Sequence, residues 1–301
     1  LRWTALAVAL VVLGFLAAHA WRSSAIDLRR TDVTVVVAAL LASCAANLVI
    51  AHLMVTRYRR HGSTVPLRVL LRAFFLGQIA KYVPGKVTGL WFQATTLEET
   101  GAGHIAFASN VEVSLLGMAS NGSLGLALLL WPRAPLLAAA AALAGAALCL
   151  RIGTWRWTAG LAARLARAVR LHVPDADFGA RGTRRALLAF HAVNALVMVP
   201  ATAVFLVATL HVDASTAIVL TGATLVAWVV SVAALVFPAG LGVREAAFVA
   251  LGHLAGAPIA TGDLAAAAVL LRLLQIAQDV LCAALFAAWD RSRERAQRAS
   301  A

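Results

Sequence analysis

Arg272, Gln275 and Asp279 recur at i, i+3 and i+7 inside an otherwise apolar stretch, a spacing that lays all three on one face of a helix. A guanidinium, an amide and a carboxylate on one face can bind an anion and can neutralise each other. Charged groups at membrane depth are costly and face a bundle interior, so they are site candidates by default. Glu112 sits in a second apolar stretch, with Ser109 and Ser123 on nearly the same face. It needs a cationic partner, and Arg272 or a nearby lysine is the expected one. His191, Asn194 and Thr202 share a face of a third stretch. An interhelical hydrogen bond is the favoured reading of His191 over a proton relay.

Two interrupted segments carry the remaining candidates. The first reads Gln78-Ile-Ala-Lys81-Tyr-Val-Pro84-Gly85-Lys86-Val-Thr-Gly89. Pro84 removes a backbone donor and Gly85 permits turn geometry, so a helix must stop and restart here. A restarting half-helix offers free N–H groups and a positive dipole end, which suit an anion. Lys81 and Lys86 add full charge; the alternative is that both snorkel to the water interface. The second segment reads Phe237-Pro238-Ala-Gly240-Leu-Gly242-Val-Arg244-Glu245. Arg244 can fork two hydrogen bonds to a phosphate. Glu245 either neutralises Arg244 or forms a static pair that locks the turn.

Several chemistries are excluded. The sequence has no phosphate loop for ATP, no His-Glu-x-x-His or paired Cys/His set for zinc, and no Gly-x-Ser-x-Gly elbow. No cofactor is implied. Cys44, Cys149 and Cys282 lie far apart in apolar runs and read as small buried hydrophobes.

The elements that must position these groups are membrane helices. Of 301 residues, 62% are hydrophobic and 13% charged, and mean hydropathy is +0.86. A soluble domain carries about 25% charged residues. Apolar stretches predict spans at Trp3–Ala20, Val33–Thr56, His104–Leu130, Leu136–Leu150, Ala186–Leu210 and Leu264–Trp289. No cleavable leader pattern is evident. The net charge of +13 comes from arginines gathered between spans, which the positive-inside rule explains without nucleic acid. Arg156, Arg164, Arg167 and Arg170, interleaved with tryptophans and leucines, suit either a basic amphipathic helix on the cytoplasmic leaflet or a solvated loop.

Arginine counts orient the chain. The stretches 57–72, 151–185 and 291–298 are arginine-rich and should face the cytoplasm, with both termini. The interrupted segments, about Pro66–Leu97 and Thr216–Ala255, must then enter and leave on the same side. The fold class expected is all-α and polytopic, with about six full transmembrane helices and two re-entrant helical hairpins. A shift of 155 carries Gly85 onto Gly240 and Gly101 onto Gly256, which suggests an inverted repeat. The whole chain 1–301 reads as one transmembrane domain. Its halves run from about 33 to 130 and from 186 to 289. A connecting helix and basic loop fill 131–185, and 290–301 is a tail. Broken helices at matching positions of two halves point to a midplane site.

At these breaks the sequence resembles the lysylphosphatidylglycerol synthetase transmembrane-region family, also called flippase-like. The run from Lys81 to Gly85, a Leu97…Gly101 turn and the membrane Glu112 are similar to one signature. The run Phe237–Glu245, with Arg272 on the next span, is similar to the other. The resemblance covers nearly the whole chain and implies a lipid-translocating domain without the soluble aminoacyl-transferase of its best-known relatives. Stand-alone relatives are thought to move polyprenyl-phosphate sugars or other lipids. It assigns family roles to Lys81, Pro84, Gly85, Glu112, Pro238, Gly240, Arg244, Glu245 and Arg272.

The expected function is a flippase in the bacterial inner membrane for an anionic phospholipid or a polyprenyl-phosphate-linked head group. Lys81, Lys86, Arg244 and Arg272 would bind phosphate, and Glu112 and Asp279 would hold those cations otherwise. A membrane-embedded lipid-modifying enzyme and a small-solute or ion transporter are the alternatives. Partners are the lipid and the membrane, with no nucleic acid; runs such as Ala138–Ala147 permit a homo-oligomer.

Overall fold

Long apolar stretches without proline or glycine breaks have one way to satisfy their backbone in lipid, and the chain takes it throughout: the described residues are helical with no strand. The structure, a computed structural model, describes residues 30–60, 63–82, 88–98, 100–152, 184–234 and 242–299, and the single positions 18, 24, 26 and 164. The expected span Trp3–Ala20, the Arg156–Arg170 segment, and Pro84, Gly85, Lys86, Pro238 and Gly240 therefore lie outside the described residues, apart from Ala18 and Arg164.

The helices are α1 (Val33–Arg60), α2 (Leu67–Ala80), α3 (Thr88–Glu98), α4 (Gly103–Leu130) and α5 (Pro135–Ile152). Then come α6 (Arg184–Val193), a π-helical turn (Asn194–Met198), α7 (Val199–Leu210), α8 (Ala214–Ala233), α9 (Val243–Leu254) and α10 (Thr261–Ala299). The π turn has a local cause. Pro200 has no N–H and its ring crowds the carbonyl four residues back, so the helix widens for one turn rather than breaking.

Six helical stretches are long and apolar enough to cross a membrane, among the described residues: Val33–Arg59, Gly103–Leu130, Pro135–Ile152, Arg185–Leu210, Ala214–Ala233 and Thr261–Arg293. Their outward residues are apolar, as lipid requires; Leu136 is 86% exposed and Leu196 75%. The protein is a multi-pass membrane protein. Five of the six stretches match expected spans. Ala214–Ala233 differs, since the sequence placed it in the interrupted segment of about Thr216–Ala255 rather than among the full spans. At 20 residues it reaches about 30 Å, whereas its return arm α9 has 12.

Each broken segment folds back on itself. In the first, a Cβ placed on Gly77 would run into the Gln93 side chain, and one on Gly89 would stand 2.8 Å from the Gly77 carbonyl oxygen. The outer ends meet too: Val65 and Leu70 share an apolar cluster with Leu97 and Ala102. In the second, a Cβ on Gly252 would touch Leu220 at 3.4 Å. Ser215 and Thr216 line one shallow cavity with Ala255, Gly256 and Pro258, so this segment begins and ends on one face of the bundle.

Both return arms stop in the same way. The Gly101 N–H reaches the Glu98 carbonyl at 2.9 Å and the Ala102 N–H reaches Leu97 at 3.0 Å. The Gly256 N–H reaches His253 at 2.9 Å and the Ala257 N–H reaches Gly252 at 3.0 Å. The glycines, at φ 73° and 79°, take the left-handed conformation that closes such a cap. They are the pair that the 155-residue shift superposes.

Candidate functional site

The site is built on α10. Its face bearing Arg272, Gln275 and Asp279 receives both broken segments. From the first, Lys81 Nζ lies 2.8 Å from Asp279 Oδ2, and the Tyr82 hydroxyl donates to that same oxygen at 2.7 Å. From the second, the Arg244 guanidinium donates to Gln275 Oε1. Arg272 lies against the first segment, its guanidinium carbon 5.6 Å from the centre of the Tyr82 ring.

Local structure explains each placement. Lys81 ends α2, where its N–H still bonds the Gly77 carbonyl at 3.2 Å; its side chain also reaches Gln78 Oε1 at 3.0 Å. Arg244 and Glu245 open α9. Glu245 Oε2 accepts the N–H of Gly242 at 2.8 Å, a capping contact that closes the first turn. Gly242 adopts φ 80°, so a glycine is required there. Arg272 and Asp279 are buried, at 3% and 2% exposure, which fits the rule that membrane charges face inward.

Seven of the thirteen sequence candidates meet here or in the turn beside it: Lys81, Gly242, Arg244, Glu245, Arg272, Gln275 and Asp279. Five lie outside the described residues. Glu112 goes elsewhere, and its expected pairing is corrected. Its carboxylate bonds the guanidinium of Arg57 rather than Arg272 or a lysine. Arg57, read from sequence as the first arginine of a cytoplasmic loop, is wholly buried on the last turns of α1. The helix continues past the apolar stretch and turns Arg57 inward onto α4.

Next to this pair is a buried hydrogen-bond chain. The Asn110 side-chain amide donates to Gln93 Oε1 at 2.8 Å, and the Tyr58 hydroxyl donates to the same oxygen at 3.3 Å. A third polar group lies between α4 and the π turn. His191 Nδ1 and Ser120 Oγ are 3.0 Å apart, and the Asn194 amide donates to Ser120 Oγ at 3.0 Å. His191 is thus in an interhelical hydrogen bond, as expected. Cys44 and Cys282, distant in sequence, share one apolar cluster, and all three cysteines are free and buried.

Sequence reasoning missed Tyr82. It stands between Lys81 and the Pro84 break, and its phenol was the only aromatic hydroxyl in the run. Among the described residues no group of three or more His, Cys, Asp or Glu side chains could hold a metal ion.

This arrangement, with cations from two broken segments gathered on one face of a membrane helix, is joined by a family match over most of the chain. Residues 2–282 match the lysylphosphatidylglycerol synthase TM region family. The chain belongs to that family. Membership is membrane-associated and lipid-related, and it covers both breaks and the site face of α10. Comparisons of this lysylphosphatidylglycerol synthase TM region chain with curated proteins and with solved structures gave no match.

Proposed function

We propose that this protein translocates an anionic phospholipid or a polyprenyl-phosphate-linked head group across the bacterial inner membrane, without ATP hydrolysis. One observation carries the reading: Lys81 and Arg244, from two separate breaks, converge with Arg272 on one face of α10. Three cations drawn together in apolar surroundings suit a phosphate better than a neutral solute.

The two broken segments act as re-entrant hairpins entering from opposite faces, in halves related as an inverted repeat. The adjacent ends of each segment and the matched caps at Gly101 and Gly256 support this. The arginine distribution places both termini in the cytoplasm. Acyl or prenyl chains stay in the bilayer while the head group passes between the hairpins. A negative charge moved outward gains about 2.3 kcal/mol per 100 mV of inside-negative potential, so electrical drive is sufficient.

The test is reconstitution in liposomes carrying a head-group-labelled anionic lipid, with exposure followed by a membrane-impermeant quencher. Protein-dependent acceleration is expected, lost by about tenfold or more in Arg244→Ala. Failure to accelerate any anionic lipid overturns the reading; acceleration that ignores Arg244→Ala removes the phosphate role of that residue.

A further inference from the structure

The contacts of Asp279 point to more than neutralisation, and this inference rests on the translocation reading above. One carboxylate oxygen accepts two donors, Lys81 Nζ at 2.8 Å and the Tyr82 hydroxyl at 2.7 Å. A phosphate oxygen makes that same pair of contacts with an ammonium and a phenol. The donors come from the break; the acceptor comes from a buried position on another helix. The geometry points to Asp279 as a tethered competitor that holds the seat of the head-group anion on Lys81 and Tyr82, so that binding is an exchange.

Three features favour exchange over a static ion pair. The Lys81 side chain is 30% exposed while that of Asp279 is 2% exposed, so the cation is the accessible member of the pair. Lys81 keeps a second partner, Gln78, which holds the ammonium in place when Asp279 lets go. Tyr82 is a positioning residue: its ring carries Arg272 at 5.6 Å, so a hydroxyl that turns from carboxylate to phosphate remains beside a second cation. The displaced carboxylate stays on α10 and keeps its charge, so it repels the anion that has taken its place. Release then follows when Asp279 retakes the seat, and the site does not trap its cargo.

The experiment measures phosphatidylglycerol against phosphatidylcholine, each titrated into purified full-length protein in neutral nanodiscs, with affinity and lipid-dependent melting shift as readouts. Turnover is measured in the liposome assay. Asp279→Asn, which keeps shape and removes charge, should bind phosphatidylglycerol about tenfold more tightly and turn over more slowly. Asp279→Glu should restore wild-type values. Where the asparagine variant folds poorly, Asp279→Ser serves, because its melting shift on phosphatidylglycerol should exceed that of wild type even from a lower starting point. A purely structural aspartate predicts equal shifts. Wild type that prefers phosphatidylglycerol, with both neutral variants binding it no more tightly, overturns this inference alone. Wild type with no preference, and no acceleration of any anionic lipid, overturns the translocation reading and this inference together.

Discussion

Arg57 and Glu112 form an ion pair between α1 and α4, and the arginine is wholly buried in it. Removing one member of such a buried pair takes compensation from the other charge, which costs about 3–5 kcal/mol, whereas replacing both with apolar residues is often nearly neutral. Glu112→Leu should therefore lower the unfolding midpoint sharply, and Arg57→Met combined with Glu112→Leu should recover most of the loss. Thermal unfolding of the single and double variants in detergent decides it. If the losses simply add, the pair is not coupled.

Close backbone approach sets the next expectation. A Cβ on Gly125 would stand 2.9 Å from the Gly222 carbonyl oxygen, and one on Gly222 would stand 2.8 Å from that of Gly125. The obstacle is backbone, so neither helix can yield without separating α4 from α8. Gly222→Ala should cost about 1–3 kcal/mol, in the range of overpacked cores. Gly122→Ala is the control, because its nearest neighbour is Val229 at 3.7 Å. Equal melting points for the two variants would refute the argument.

Gln93 is a third point of sensitivity. It passes over Gly77 and accepts from both Tyr58 and Asn110, tying α3 to α1 and α4. Gly77→Val should displace it and leave buried donors unpaired, a loss of about 1–3 kcal/mol. Gln93→Leu in the same background should add little further loss, since the bridge is already broken. A full second penalty would show that the bridge survives the valine.

Asp213 gives a pH dependence outside the membrane-crossing helices. It caps α8, accepting the Ser215 hydroxyl at 2.6 Å, the Thr216 N–H at 3.0 Å and the Thr216 hydroxyl at 2.7 Å. Hydrogen bonding, first from the Ser215 hydroxyl, holds its carboxyl well below the usual carboxylate range. Folding thus favours the ionised form. The contribution is complete above the ordinary value of about 3.9 and is lost as pH falls toward the depressed folded value. Asp213→Ala should lower the melting point at pH 7 and flatten its decline in acid; an unchanged acid slope would count against the cap.

Side-specific labelling tests the hairpins. Single cysteines at Thr64 and Thr100, in a background lacking Cys44, Cys149 and Cys282, should react with an impermeant thiol reagent from one side. Cysteines at Ser215 and Ala257 should react from the other. Labelling of Thr64 and Thr100 from opposite sides would remove the re-entrant reading of the first segment.

What the sequence made legible follows from what a linear pattern can encode. Arg272, Gln275 and Asp279 were found because helical spacing alone puts them on one face. The breaks were found because proline and glycine act locally. The partner of Glu112 was not, because Arg57 sits at the end of an apolar stretch, where topology rules read every arginine as a loop charge. Only the extra turns of α1 carry it back inside. The full span of α8 was also hidden, since the break at Pro238 led Thr216–Ala255 to be read as one interrupted segment. Tyr82 was overlooked because a lone tyrosine beside two lysines looks like an interface anchor until a carboxylate from position 279 arrives against it.

The length of α10 has a mechanical meaning. Its 39 residues make a rod of about 58 Å, nearly twice the hydrocarbon thickness. From Asp263 onward it contains neither glycine nor proline, so it has no joint. Near its C-terminal end, Arg68 holds Asp290 and Phe75 stacks on Phe286 with ring centroids 5.4 Å apart. Four residues before Asp279, Gln275 holds the second break. A stiff strut gripped at both places cannot loosen its hold on one broken segment without shifting its hold on the other. The two segments are geared together through one rod, and a push on its C-terminal end is felt at both.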